Sequence, residues 1–158
     1  MITDLSDSDL FKASSYVGGE WMPDSTDRLA VTNPATGDVI TEVTTIDASG
    51  TTKAIAAAHE AMQSWREVPA KARAQVLRRW FDLMMAHQED LAIIMTTEQG
   101  KALAESRGEV AYGAAFMEWF GEQAKRIDGD VIPAPSSDKR VVCILSLIHI
   151  SEPTRHRR

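Results

Sequence analysis

The chain has 158 residues, of which 44% are hydrophobic and 25% charged, and its formal net charge is −6. These values are typical of one globular domain with its own core, and they exclude collagen-like, disordered and disulfide-rich classes. The acidic balance argues against nucleic acid and anionic membranes as partners, because both attract clustered lysine and arginine.

The amino-terminal stretch and the cysteine usage predict a cytoplasmic protein. Residues 1–9 are acidic and have neither the apolar run of a secretory signal nor the arginines of a transit peptide, so a flexible N-terminus is expected. No stretch approaches 18 apolar residues, so no membrane span is expected. Cys143 is the single cysteine and cannot form an internal disulfide, which suits a reducing compartment.

Short strands and turns are predicted before residue 46. Gly18 and Gly19 mark a hairpin turn, because glycine readily adopts positive φ. Residues 29–32 and 39–43 are extended runs on either side of the turn-rich segment 33–38.

Helical periodicity begins at Asp47 and predicts four helices. Asp47 caps the first helix and Pro69 opens the second. The third runs from near Gln88 to a stop at Gly100, and the fourth covers about 103–127. The predicted apolar faces consist of Ile55, Ala58, Met62 and Trp65 in the first helix, Val76, Leu77, Trp80, Phe81 and Met84 in the second, and Val110, Ala114, Met117 and Phe120 in the fourth.

After the helices the pattern predicts loop and one strand. Residues 128–130 and 133–137 are predicted as loop, and residues 139–144 as a strand with no partner nearby in the sequence. The whole is therefore a mixed α/β fold that ends on an unfinished sheet.

Residues 145–158 resemble the translation of a transposase adapter used to prepare sequencing libraries. An artefactual tail is predicted, in which His149, His156 and the terminal arginines carry no functional weight. The alternative is a natural carboxy-terminal tail.

The residues alone predict no active site. Neither of the glycine-rich phosphate motifs occurs, and the metal motifs H-E-x-x-H and C-x-x-C are also missing from the sequence. Cys143 in a strand is predicted to be a buried, inert thiol rather than a nucleophile, and His59 and His87 to be surface histidines. Glu105 and Glu109 share a helix face, where acid–base work is possible but a solvated face is favoured.

Three landmarks resemble the aldehyde dehydrogenase superfamily over about residues 10–144: V-G-G-E-W at 17–21, V-T-N-P-A-T-G-D at 31–38 and T-E-Q-G-K at 97–101. The resemblance implies the N-terminal part of that fold, incomplete, with a β-hairpin segment, four helices and the start of the oligomerisation strand. Residues 10–137 would then belong to the cofactor domain and residues 138–144 to the first oligomerisation strand. Ala102 departs from the proline that is usual there.

Within the family, residues 79–85, 95–101, 116–120 and 125–133 resemble the succinate-semialdehyde dehydrogenases. The resemblance implies a parent enzyme that oxidises succinate semialdehyde to succinate with NAD or NADP, as a homodimer or homotetramer. In the family a cysteine thiolate attacks the aldehyde, hydride passes to the nicotinamide, and a glutamate-activated water releases the acid. Those residues, the oxyanion asparagine and the cofactor turn lie downstream of Ile144. No catalytic or cofactor-binding residue is therefore assigned to this chain, and the fragment is expected to be inactive without tight cofactor binding.

Two peripheral sites follow from the same resemblance. Gly108, Tyr112 and Phe116, at i, i+4 and i+8, match the helix that lines the mouth of the substrate tunnel, although a helix-packing role fits the spacing equally well. The backbone near Thr32 and the carboxylate of Glu98 match a structural monovalent cation site, for which hard oxygen ligands are suited.

Two other interpretations stay open at this stage. The chain could be a non-catalytic helical interaction module, or a degenerate remnant of the enzyme. An extended reading frame that continues with K-Q-P-x-G and a W-N-F strand would favour the enzyme, whereas a stop codon would favour the alternatives.

Overall fold

The computed structural model describes residues 4–22 and 27–145. A 3₁₀ turn (Ser8–Leu10) precedes two hairpins, four helices and a last pair of strands. The elements are β1 (Tyr16–Val17), β2 (Glu20–Trp21), β3 (Arg28–Thr32), β4 (Val39–Thr44), α1 (Ala48–Trp65), α2 (Ala70–Ala86), α3 (Gln88–Gln99), α4 (Leu103–Gln123), β5 (Asp130–Ile132) and β6 (Val141–Cys143). The predicted tail lies almost wholly outside the described residues, since only Leu145 falls within them.

Both predicted hairpins are present and both are antiparallel. β1 pairs with β2 across Gly18 and Gly19, whose φ angles are +64° and +92°. β3 pairs with β4 across the turn 33–38, and the register shifts by one residue next to Thr32. The turn chemistry read from the sequence thus specifies both connections.

The helix boundaries follow local capping interactions. The Asp47 side chain accepts a hydrogen bond of 2.7 Å from the Gly50 backbone N–H at the start of α1. Gly100 ends α3 in the left-handed region at φ 72°, as predicted. The predicted fourth helix was too long, because α4 ends at Gln123 and not at 127. No helix among the described residues is long and apolar enough to cross a membrane.

The packed core lies where α4 meets α2 and α3, and it is small. Its buried apolar residues are Ala74, Ala92, Val110 and Ala114. The largest fully buried side chain is Ser106, whose hydroxyl lies 2.8 Å from that of Thr96. Small residues at the crossings let the helices approach closely, but they bury little apolar area.

Several predicted apolar faces are only partly covered. Ile55 and Trp65 of α1 are exposed, and so are Val76 and Trp80 of α2. In α4, Phe120 was grouped with the packed stripe but is 53% exposed. The physical reason is that the helix spacing identifies an apolar face without saying whether a second element packs on it.

The end of the described chain corrects the sequence prediction. Residues 130–132, of which Asp130 was placed in loop, form β5, and β5 pairs antiparallel with β6 in the register Val131↔Val142. The strand predicted at 139–144 therefore has a partner, and the central pair Val131 and Val142 is eleven residues apart in the sequence. Gly129, at φ 76°, lets the chain turn close to the backbone of Cys143, where a Cβ would clash with the Cys143 carbonyl. A three-residue strand is too short to leave a clear pattern in the sequence.

Part of the segment predicted as a flexible N-terminus is attached to α3. Asp90, in the first turn of α3, is almost completely buried. Its two carboxylate oxygens accept hydrogen bonds of 2.9 Å from the backbone N–H groups of Ser6 and Asp7. The Ser6 N–H is the main cause that lowers the pKa of Asp90 from its usual value, with burial opposing it and the Asp7 N–H and His87 assisting.

We expect Asp90→Asn to release the amino-terminal segment. An amide has only one acceptor oxygen, so one of the two backbone N–H groups loses its partner. Hydrogen exchange of the peptide that contains Ser6 and Asp7 should become faster at pH 7, whereas Glu89→Gln, one residue away, should leave it unchanged. Equal exchange in the Asp90→Asn variant and the parent would contradict this role.

The same attachment has a defined pH dependence. The pKa of Asp90 is lowered in the folded state. The stability that its ionised carboxylate gives to the attachment is therefore complete above the ordinary carboxyl pKa of about 4. That stability is lost as the pH falls through the lower folded-state pKa. Protection of the Ser6 and Asp7 amides should therefore persist down to about pH 4.

Candidate functional site

An aromatic face on α4 is the most distinctive surface of the described chain. The Tyr112 and Phe116 rings meet edge to face with centroids 4.9 Å apart, and Phe120 lies roughly parallel to Phe116 at 6.5 Å. With Ala115 and Trp119 they line an open groove of about 380 Å³. The lining residues recur at i, i+3, i+4, i+7 and i+8, which is one face of a helix.

The opposite face of α4 fixes the direction of these rings. Ser106, Val110, Ala114 and Gly121 are buried against the neighbouring helices. A Cβ placed on Gly121 would lie 3.4 Å from the Leu77 Cβ, so α2 and α4 are already in close contact. Because one face of α4 is held in this way, the aromatic rings point away from the small core.

The structure places two of the three residues predicted for the tunnel in the groove and the third outside it. Tyr112 and Phe116 line the groove and are 68% and 42% exposed, so they do not belong to the core packed by the described residues. Gly108 lies one turn before Tyr112 and is exposed, and apart from its own turn of helix no described atom lies within 4 Å of where its Cβ would be. It does not line the groove among the described residues. Trp119 and Phe120 also line the groove, which the sequence analysis did not predict although their helical spacing from Tyr112 and Phe116 could have indicated it.

The groove itself has no charged lining residue in the part of the chain that the structure describes. Two cations near the start of α4 are paired: Arg107 donates two hydrogen bonds of 2.7 Å to Glu89, and Lys101 lies 2.6 Å from Glu109. The Arg107 pair lowers the pKa of Glu89 and raises that of Arg107. The groove can thus hold hydrocarbon but offers no countercharge for a carboxylate.

The acid–base alternative for the α4 carboxylates finds no support. Glu109 is bound to Lys101, and Glu105 lies in the first turn of α4, where a negative charge favours the helix dipole. Among the described residues, no group of three or more His, Cys, Asp or Glu side chains could hold a metal ion. His59 is an exposed α1 residue, and His87 lies at the junction of α2 and α3.

The two residues of the predicted monovalent cation site lie on segments that the fold brings near each other. Thr32 ends β3, and Glu98 is exposed near the end of α3. Gly100 lies directly against the turn that follows Thr32, since a Cβ on Gly100 would be 2.8 Å from the Pro34 Cγ. The fold therefore brings the end of α3 to this turn, where backbone and carboxylate oxygens are of the right ligand type. The cation site stays a prediction.

The Cys143 prediction was wrong about burial. The thiol is exposed, because no described element covers the β5–β6 hairpin. Cys143 lies in the strand β6 and not at a helix N-terminus, where reactive thiols are often found.

Comparison with known proteins identifies the family to which this arrangement belongs. The sequence model of the aldehyde dehydrogenase family matches residues 21–146. The chain belongs to the aldehyde dehydrogenase family. The predicted resemblance and the predicted fold class are confirmed, and the four helices and short strands are the amino-terminal portion of the aldehyde dehydrogenase fold.

Individual members of the family are close in sequence. The chain is 51% identical to a glutarate-semialdehyde dehydrogenase of Pseudomonas aeruginosa and 48% identical to the NADP-dependent succinate-semialdehyde dehydrogenase of Escherichia coli, in each case over 93% of this chain and 31% of the relative. The crystal structure of an NADP-dependent enzyme of Escherichia coli matches with a TM-score of 0.85 and 50% identity over 88% of this chain and 29% of that one. The chain thus spans about a third of the length of these relatives.

Proposed function

We propose that this chain is the amino-terminal part of an enzyme that oxidises a short semialdehyde carrying a terminal carboxylate to the dicarboxylic acid. In the balanced reaction the aldehyde, water and NAD or NADP give the acid, the reduced cofactor and a proton. Succinate semialdehyde is the preferred candidate and glutarate semialdehyde the close alternative. The observation that carries the proposal is 48–51% identity to enzymes of both specificities over nearly the whole chain.

The described residues would contribute scaffold and one wall of the substrate path. In this proposal residues 10–137 belong to the cofactor domain and residues 138–144 to an oligomerisation strand of a dimer or tetramer in the cytoplasm. Tyr112 and Phe116 would face the hydrocarbon part of the substrate, with Gly108 leaving space at the mouth. Oxygen atoms near Thr32 and Glu98 would hold a structural monovalent cation.

The uncharged groove would recognise the methylene chain of the substrate but not its carboxylate. Because its lining is apolar, it suits the methylene chain of the semialdehyde, and the carboxylate must be recognised by residues outside this groove. NAD and NADP would be bound by residues outside the described chain, so the chain alone would bind neither tightly.

The test uses the product of the complete reading frame. Its kcat/KM should be higher for succinate and glutarate semialdehyde than for butanal, which has a similar carbon chain without the carboxylate. Assays with NAD and NADP in parallel would assign the cofactor. A preference for butanal would contradict the proposed substrate class.

We further expect Phe116→Ala in the complete enzyme to lower kcat/KM for the semialdehyde by about tenfold to a hundredfold. The reason is that Phe116 contacts both Tyr112 and Phe120 in the groove, so its loss removes apolar contact and leaves the neighbouring rings unsupported. Glu105→Gln, on the same helix but outside the groove, is the matched control. Unchanged kinetics in Phe116→Ala would exclude the groove from the substrate path.

A further inference from the structure

A buried pair of hydroxyl groups joins α3 to α4. The Ser106 side chain is completely buried, and its Oγ lies 2.8 Å from the Oγ1 of Thr96, which is half-buried. Ser106 belongs to the same buried stripe as Val110 and Ala114. The pair therefore lies on the side of α4 that faces the neighbouring helices, and it does not line the aromatic groove.

The other contacts on the buried face of α4 leave the helix free to turn slightly about its own axis. They are made by Val110, Ala114 and Gly121, whose small apolar surfaces pack without a preferred direction. A hydrogen bond weakens steeply when its angle departs from the favoured range. The bond between Thr96 and Ser106 is thus a directional contact on a face that is otherwise apolar.

The polar contacts at the start of α4 hold its rotation less firmly. The pairs Arg107–Glu89 and Lys101–Glu109 are partly open to solvent, where water screens the charges and long side chains follow small movements. The Gln88 amide reaches the Arg107 carbonyl from the exposed surface, and α4 begins without a side-chain cap. The buried hydroxyl pair is therefore the contact best suited to define one rotational setting.

A small rotation of α4 would displace the wall of the groove. A helix with its side chains is about 10–12 Å across, so a rotation of about 20° moves a ring at its rim by about 2 Å. Tyr112 and Phe116 follow Ser106 on the same helix and turn with it. Misplacing a substrate contact by about 1 Å can lower a rate constant about a hundredfold.

We propose that Ser106 and Thr96 are positioning residues of the groove, because their hydrogen bond sets the rotation of α4 and thereby the position of the aromatic rings. Neither hydroxyl lines the groove, so both act through the helix. The inference rests on the proposed function, in which Tyr112 and Phe116 face the hydrocarbon part of the substrate. Its consequence is that the pair influences which chain length of semialdehyde the enzyme prefers.

The experiment compares Ser106→Ala with the double variant Ser106→Ala/Thr96→Val in the complete enzyme. Ser106→Ala leaves the Thr96 hydroxyl without its partner, so the midpoint of denaturant unfolding should fall. The double variant replaces both hydroxyls by apolar groups of similar shape. It should recover most of the lost stability, because no hydroxyl of the pair is then left unpaired.

Both variants should show the same kinetic change. The KM for succinate semialdehyde should rise at least about threefold, and the ratio of kcat/KM between succinate and glutarate semialdehyde should change at least about threefold. Neither quantity depends on the fraction of enzyme that is folded, so a loss of stability alone would move neither. Thr96→Ser keeps the hydroxyl and should retain the parental KM and ratio.

Asp90→Asn is the matched control. It weakens another buried polar contact of α3, whose partners Ser6 and Asp7 lie in the amino-terminal segment and not in α4. It should leave the KM and the substrate ratio unchanged. A parental KM and ratio in the double variant would overturn the proposal, as would kinetic changes of the same size in Asp90→Asn.

Failure of this proposal can be told apart from failure of the proposed function. If the complete enzyme preferred butanal, the proposed substrate class would be wrong, and the same variants compared on butanal and hexanal would decide the positioning role. If the enzyme oxidised the semialdehydes and the double variant kept the parental KM and ratio, the positioning role alone would be wrong.

Discussion

The purified 158-residue chain will form no measurable NADH or NADPH from succinate or glutarate semialdehyde, whereas the product of the complete reading frame will. Ordinary enzymes reach kcat/KM values of about 10⁴ M⁻¹s⁻¹ or more, so turnover by the complete enzyme will be readily measured beside a chain that gives none. The physical reason is that the described part supplies helices and an apolar groove, and its one thiol lies on an exposed strand rather than at a helix N-terminus.

Cys143→Ser provides the control for that experiment. If the chain alone turned over substrate and Cys143→Ser abolished the activity, Cys143 would be the nucleophile and the scaffold interpretation would be wrong. Turnover that survives the substitution would indicate a contaminating dehydrogenase, which mass spectrometry of the preparation would identify.

Substitutions at two adjacent alanines of α4 should have very different effects on the free energy of unfolding. Ala114 is completely buried against the other helices, whereas Ala115 lines the open groove. In the complete enzyme, Ala114→Asp should lower the free energy of unfolding by about 4 kcal/mol, because it places an unpaired charge in the core. Ala115→Asp should change it by no more than about 1 kcal/mol, since position 115 faces the open groove and not the helix core.

Among the molecules that fold, Ala115→Asp should disturb the kinetics more than Ala114→Asp does, which is the reverse of their effects on stability. A carboxylate at position 115 would repel an acidic substrate in the groove, so Ala115→Asp should raise the KM for succinate semialdehyde more than that for butanal. Denaturant unfolding and steady-state kinetics on the same preparations measure both effects. Equal destabilisation by the two substitutions would contradict the orientation of α4.

The features that could be predicted from the sequence are those determined by neighbouring residues. The Gly18–Gly19 turn, the Asp47 cap and the Gly100 stop each depend on contacts within a few positions along the chain. Such local preferences leave a readable pattern in the sequence.

Features that depend on distant residues could not be predicted in the same way. Asp90 is a plausible first-turn acid of a helix, but its acceptance of two N–H groups more than 80 residues away leaves no local signal. β5 could not be predicted for the same reason, because its three residues form a strand only through pairing with β6.

The candidate site was predictable only in part. Helical spacing placed Tyr112 and Phe116 on one face, but it could not decide between a packed face and an open one. Phe120 was assigned to the wrong group for that reason: it is four residues from Phe116 and also lies on the border of the buried stripe. The choice depends on which elements cover α4, and those contacts lie outside the helix itself.

Under the proposed function, these residues form a scaffold whose core is completed by additional chain. Differential scanning calorimetry of the isolated 158-residue chain tests it most directly. The small core and the many exposed apolar side chains predict a weak, broad signal without a cooperative heat-absorption peak. A sharp reversible transition with an enthalpy on the order of 100 kcal/mol, as expected for a self-sufficient domain of this length, would contradict it.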